Sequence, residues 1–75
     1  MQPYQESSEE SGIAAYRVTP TTIIIAFKAG GVYLYNHSRP GRVHVQAMQK
    51  LAAAGDGLNT YVNQHIRENF ARKLS

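Results

Sequence analysis

Residues 22–36 read TIIIAFKAGGVYLYN, and this stretch decides the fold of the chain. Residues 22–28 are rich in β-branched and aromatic side chains, which favour a strand. Residues 29–31, Ala-Gly-Gly, supply a turn, and residues 32–36 repeat the strand pattern. Two strands joined by so short a glycine turn pair antiparallel. The sequence therefore predicts a β-hairpin.

The geometry of the turn decides which side chains share a face of this hairpin. If the loop has three residues with a glycine bulge at Gly30, Ile25 lies opposite Tyr33 and Ile23 lies opposite Tyr35. A two-residue turn would exchange the faces, because a shift of one residue flips every side chain. We expect the bulged turn, which places both tyrosines on the isoleucine face. The other face then carries Ile24, Ala26, Val32 and Leu34.

Outward from the hairpin, the sequence predicts one more strand and two helices. A strand over 13–18 ends before Thr19-Pro20, and a helix over 42–54 ends at the glycines of 55–57. The last helix is expected over 58–73, from its apolar residues at helical spacing. The predicted fold is α+β: a three-stranded antiparallel β-meander followed by two α-helices packed on one face. Its expected core is Tyr16, Val18, Ile23, Ile25, Phe27, Val43, Met48, Leu51, Val62, Ile66 and Phe70.

Residues 1–11 differ in composition from the rest of the chain. They are polar and acidic and lack apolar periodicity, which predicts a disordered acidic tail before a domain over 12–75. From residue 11 onward, the chain contains all eight of its Lys and Arg residues but only two acidic residues, Asp56 and Glu68. Such a basic domain either attracts polyanions through long-range electrostatics or carries only the net charge that keeps a small domain soluble.

Composition also limits the class of protein. The chain has no cysteine, which excludes disulfides and thiolate metal sites. No apolar run approaches the roughly 20 residues that span a bilayer, and residues 1–5 lack the pattern of a signal peptide. We therefore expect a cytoplasmic protein that does not bind a membrane.

Cationic side chains and paired tyrosines form a candidate nucleic-acid site. If the loop that carries Arg39 and Arg42 meets the end of the last helix, the two form a surface suited to phosphates; otherwise they are solvated charges. Tyr33 and Tyr35 either stack on bases or are core residues, and the bulged turn favours the core. The candidate residues are Arg17, Lys28, Tyr33, Tyr35, Arg39, Arg42, Arg67, Arg72 and Lys73.

The second hairpin face is a candidate protein interface. Ile24, Ala26, Val32 and Leu34 form an apolar patch on a sheet surface for which the sequence offers no further helix. Exposed apolar patches mark contact sites, so a homodimer or a protein partner is one alternative. The other is that the tail covers this face, or that it is only sparsely buried.

Catalysis and metal binding are not expected. His37, His44 and His65 lack the spacing of a metal site. Asp56 and Glu68 are the only side-chain carboxylates beyond the tail, and the chain has no cysteine nucleophile. The sequence therefore predicts a binding protein without enzymatic activity, metal or cofactor.

Two motifs resemble those of a known family, the KTSC domain, a short module also found at the C-terminus of some lysyl-tRNA synthetases. Residues 27–35, FKAGGVYLY, are similar to its central signature, through the aromatic residue before the glycine turn and the Tyr-x-Tyr pair. Residues 61–67, YVNQHIR, are similar to its closing helix, and residues 11–16 to its opening strand. The resemblance covers about residues 11–70.

The sequence departs from the family pattern at two places. Residues 36–40 read NHSRP where the family usually has Val-Pro, and Leu34 stands where a polar residue is common. The family has no established activity, and RNA binding has been suggested for it. The resemblance thus implies a small non-enzymatic binding module with weak RNA binding.

Overall fold

The computed structural model describes residues 2–4 and 12–75. Within these residues, five strands form one antiparallel sheet in chain order, and two helices complete an α+β fold. The strands are β1 (Gln2–Pro3), β2 (Ile13–Val18), β3 (Thr22–Phe27), β4 (Val32–Asn36) and β5 (Arg72–Lys73). The helices are α1 (Arg42–Ala54) and α2 (Leu58–Tyr61), and α2 continues as a π-helical segment, Val62–Ile66.

The β3–β4 hairpin has the predicted register. Ile23 pairs with Tyr35, and Ile25 pairs with Tyr33. Gly30 and Gly31 have φ angles of 112° and 96°, which glycine adopts without a steric penalty. The register confirms that both tyrosines lie on the face of the isoleucines.

The core lies between this face and the helices. Its fully buried side chains include Ile23 and Ile25 from the sheet and Val45 and Met48 from α1. The prediction of burial is wrong for two residues: Val43 is 78% exposed and Val18 is 45% exposed. Val43 lies about 200° around the helix from Val45 and so faces away from the sheet. Val18 ends β2, beyond the residues that pair with β1.

The chain enters the sheet earlier than the composition of 1–11 predicts. β1 pairs with β2, and Tyr4 is only 6% exposed. The Tyr4 ring packs edge-on against Tyr16 at 6.1 Å, and its hydroxyl accepts a hydrogen bond of 3.2 Å from the Leu58 N–H. The prediction of a disordered tail therefore does not hold for residues 2–4. Residue 1 and residues 5–11 lie outside the described part of the chain.

The last helix is shorter than predicted. It ends at Ile66 rather than at residue 73, and the chain turns back at Arg67 to run along β4. The Ala71 N–H donates to the Leu34 carbonyl at 2.9 Å, and the Leu74 N–H donates to the Val32 carbonyl at 2.7 Å. The physical reason is that β4 would otherwise leave a row of backbone groups unpaired at the sheet edge.

Candidate functional site

A pocket of about 530 Å³ lies beside the hairpin turn, on the helix side of the sheet. The buried side chains of Tyr35 and Val62 form its floor. Its walls are three half-buried aromatic residues, Phe27, Tyr33 and Phe70. Its rim consists of the exposed residues Ala29, Gly30, Asn63 and Arg67. The pocket thus combines aromatic walls with a cationic and an amide side chain at the mouth.

Tyr33 is the centre of the aromatic wall. Its ring lies 5.7 Å from the Phe27 ring in an edge-on arrangement and 4.7 Å from the Phe70 ring, tilted by 46°. The Lys73 ammonium lies 5.8 Å from the same ring centroid, within the range of a cation–π contact. These contacts hold the Tyr33 ring at the pocket and bring a second cation beside it.

Gly31 makes room for this ring. A Cβ atom at residue 31 would lie 2.9 Å from the edge of the Tyr33 ring and 2.9 Å from its hydroxyl. At Gly30, by contrast, a Cβ atom would meet nothing within 4 Å. Gly31 is therefore needed for the position of Tyr33 as well as for the turn.

Arg67 occupies a strained backbone position on the rim. Its φ and ψ angles are 51° and −117°, a combination that favours glycine. Its N–H donates to the Val62 carbonyl at 2.6 Å, which closes the π-helical turn, and its Nε donates to the Asn63 carbonyl at 3.3 Å. Such positions cost about 1–3 kcal/mol and cluster at functional sites, as do π-helical turns.

Arg39 joins the same region from the loop after β4. The Asn36 side chain accepts hydrogen bonds of 2.9 Å from the N–H groups of Ser38 and Arg39, which fixes the loop. The Arg39 Nε then donates to the Asn69 side chain at 3.0 Å, next to the pocket wall. The loop and the segment after the last helix therefore meet, as the phosphate-binding hypothesis requires.

The structure divides the predicted nucleic-acid residues between two faces. Tyr33, Arg67 and Lys73 lie at the pocket, and Arg39 is bonded to its neighbouring segment. Arg17 and Arg72 lie on the opposite face, because they pair with Ile24 and Leu34. The exposed Arg42 begins α1 and the exposed Lys28 lies in the hairpin turn, and no described contact joins either side chain to the pocket.

Tyr35 requires a correction among the candidate stacking residues. It is only 1% exposed, so its ring is not available to stack on a base. It pairs with Ile23 in the middle of the sheet, under the helices, whereas Tyr33 lies nearer the open hairpin end. Tyr33 and Tyr35 thus lie on the same face of the sheet, but Tyr35 is buried and Tyr33 is partly exposed.

The candidate interface face is half-buried in the described chain. Across the sheet, a row runs from Arg17 through Ile24 and Leu34 to Arg72. Neither Ile24 nor Leu34 belongs to the buried core, and the described helices contribute their buried residues to the other face. Ala26 and Val32 form the neighbouring pair on the same surface.

The sequence predicted neither the pocket nor the role of the Asn63 amide on its rim. Phe27 and Phe70 were predicted as core only, and Asn63 was not singled out for binding. The signal that could have found them is the run YVNQHIR, in which Asn63 and Arg67 lie one helical turn apart.

In comparisons with protein-family models, curated proteins and solved structures, nothing matched the chain. The resemblance to the KTSC domain therefore stays a prediction. Among residues 2–4 and 12–75, no helix is long and apolar enough to cross a membrane. The same residues contain no group of three or more His, Cys, Asp or Glu side chains placed to hold a metal ion.

Tyr35 should make stability depend on pH in the alkaline range. Burial, and then the neighbouring Tyr33, raises the pKa of Tyr35 from 10.0 to about 12. Below pH 10 the phenol is neutral in both states. As the pH rises from 10 to 12 the unfolded chain ionises first, so stability is lost, by roughly 2–3 kcal/mol at most.

The measurement is chemical denaturation at pH 8, 10 and 12, for the unchanged chain and for Tyr35→Phe. The unchanged chain should lose more stability over this range than the variant, because Phe cannot ionise. Equal losses in both proteins would contradict the prediction.

Proposed function

We propose that this chain is a small non-enzymatic module that binds single-stranded RNA through the pocket side of the domain. The observation that carries the proposal is an accessible aromatic pocket with Arg67 on its rim and the Lys73 ammonium on its Tyr33 ring, next to the segment that Arg39 contacts through Asn69. Single-stranded RNA is bound by proteins that combine cations for the backbone with aromatic rings for the bases. The resemblance to the KTSC domain supports the same function.

The chemistry of the pocket favours binding over catalysis. Its polar side chains are the Arg67 guanidinium, the Asn63 amide and the hydroxyls of Tyr33 and Tyr35. None of these groups is a general base near neutral pH, and the pKa of Tyr35 is raised further, to about 12. The cations instead suit phosphate oxygens, which makes the proposed binding salt-sensitive and weakly sequence-specific.

A pair of double variants with the same change in net charge tests this proposal. Arg39→Glu with Lys73→Glu should weaken binding of a short labelled single-stranded RNA by about 10- to 100-fold, because these side chains can no longer neutralise phosphates. Arg17→Glu with Arg72→Glu changes the other face and should weaken it by less than about threefold, through long-range repulsion alone. Fluorescence anisotropy at 50 mM salt measures both.

The salt dependence gives an independent check. For each phosphate that the protein no longer neutralises, the slope of log affinity against log salt should fall by about 0.7. Only the pocket-side variant should show this reduction. Equally weakened binding in the two double variants would show that net charge, and not this site, drives binding. No RNA binding by the unchanged chain at 50 mM salt would overturn the proposal.

A second candidate function is homodimerisation or protein binding through the sheet face that carries Ile24, Ala26, Val32 and Leu34. The observation that favours it is the apolar row across β3 and β4, which no described helix covers. Sedimentation at micromolar concentration should then show a dimer that Leu34→Asp dissociates. A monomer would remove the homodimer, and unfolding of Leu34→Asp would show that this face is core.

A further inference from the structure

The pocket is an open cleft whose volume and lining are suited to a small ligand. Its volume of about 530 Å³ falls within the range of about 300–1,000 Å³ that is usual for such sites. Its walls are aromatic, and the polar side chains of Asn63 and Arg67 lie at the mouth. A ligand that fits this distribution has a planar apolar part and a polar or charged end.

The charge at the mouth indicates an anion. Of the described residues that line the pocket, none is acidic, and Arg67 is the cationic one. The Lys73 ammonium adds a second positive charge on the Tyr33 ring. An anion with a planar apolar part would place that part against the aromatic rings and its charged end beside these cations.

The backbone of Arg67 supplies an observation that does not depend on the pocket lining. At φ 51° and ψ −117°, glycine would be the residue of lowest strain. An arginine there places a guanidinium at the pocket mouth at the expense of local backbone energy. Strained positions of this kind cluster at functional sites, which supports a role for the Arg67 side chain.

The Asn63 side chain adds an amide that suits hydrogen bonds to the polar edge of a ring. Its exposed side-chain amide lies on the rim and offers both hydrogen-bond donors and an acceptor. Nucleobases present both kinds of group on their edges, and proteins that read single strands combine stacking with hydrogen bonds to these edges.

We infer that the pocket is a subsite for one nucleotide, with the base against the Tyr33 and Phe70 rings, its edge at Asn63 and its phosphate at Arg67. The inference rests on the proposed RNA binding and makes it more specific: one unstacked base is held in a pocket, while Arg39 and Lys73 contact the backbone of the strand. A free mononucleotide offers the same base and phosphate as a nucleotide within an RNA strand. Binding measurements distinguish these two ligands.

The test compares two ligands of equal charge by isothermal titration calorimetry. One is a four-nucleotide single-stranded RNA, and the other is the same ribose-phosphate chain without bases. The unchanged protein should bind the RNA about 5- to 150-fold more tightly, the range for one stacked base. Phe70→Ala should abolish this preference and leave the weak binding of the base-free chain unchanged.

Arg67→Gly provides the matched test of the phosphate contact. Glycine relieves the backbone strain, so the melting temperature of this variant should be equal or higher. Its affinity for the four-nucleotide RNA should nevertheless fall about tenfold, as expected when a charged hydrogen bond is removed. Unchanged affinity in a folded Arg67→Gly protein would overturn the assignment of the phosphate to this residue.

Free adenosine and uridine 5′-monophosphates identify the source of the ligand. Affinity equal to that of the four-nucleotide RNA assigns the pocket to free nucleotides, whereas tighter binding of the RNA assigns it to a strand; both support the subsite. Equal binding of the RNA and the base-free chain would overturn the subsite and leave the proposed RNA binding intact. Failure of both ligands to bind at 50 mM salt would overturn both proposals.

Discussion

Replacing Tyr4 by alanine is expected to lower the free energy of unfolding by about 3–5 kcal/mol, the usual cost of removing a buried aromatic ring. The ring is only 6% exposed and packs against Tyr16, so its removal leaves a cavity at the sheet edge. The change also removes the acceptor of the buried Leu58 N–H, at the start of α2. For a domain of 75 residues this decrease is a large part of a typical total stability.

Urea denaturation followed by circular dichroism measures this effect. The control is Tyr4→Phe, which keeps the ring and removes only the hydroxyl, so its cost should be about 1–3 kcal/mol. Deletion of residues 1–4 should be as severe as Tyr4→Ala. If Tyr4→Ala costs less than about 1 kcal/mol, Tyr4 is not part of the core.

Replacing Gly31 by alanine is expected to have the second largest effect on stability. The φ angle of 96° makes alanine costly by about 1–3 kcal/mol. The new Cβ atom would also lie 2.9 Å from the Tyr33 ring, which Phe27 and Phe70 prevent from moving freely. Displacing this packed ring adds about 1–3 kcal/mol.

Gly30→Ala is the matched control, because Gly30 also has a positive φ angle but open space around its Cβ position. It should carry the backbone cost alone, so the difference in unfolding free energy between the two variants measures the contact with Tyr33. Gly31→Ala should also weaken the proposed nucleotide binding, since this change displaces Tyr33 in the pocket wall. Equal stability of the two variants would show that Gly31 serves the turn alone.

The hairpin was predictable because its determinants are local. Strand-forming residues flank a glycine turn, and the bulged loop alone sets Ile25 opposite Tyr33. β1 and β5 were not predictable in the same way. Tyr4 is a single aromatic residue in a polar segment, and Arg72 and Lys73 have no strand pattern, so both short strands depend on pairing with neighbours that only the folded sheet supplies.

The candidate site was predictable in part. The sequence left open whether the loop carrying Arg39 meets the end of the last helix, and the bond to Asn69 joins this loop to the segment after that helix. It did not indicate that Arg72 and Lys73 lie on opposite faces, because a helix was expected where a strand alternates its side chains. The pocket itself depends on the turn at Arg67, which helical periodicity did not indicate.

The order of the strands has a consequence for folding during synthesis. Each strand pairs with the one before it in the chain, so β2, β3 and β4 are able to assemble as soon as they leave the ribosome. Arg67, Phe70 and Lys73 follow these strands in the chain, and Lys73 belongs to β5, which pairs with the edge of β4. During synthesis, the three central strands therefore become available for pairing before the residues that complete the pocket.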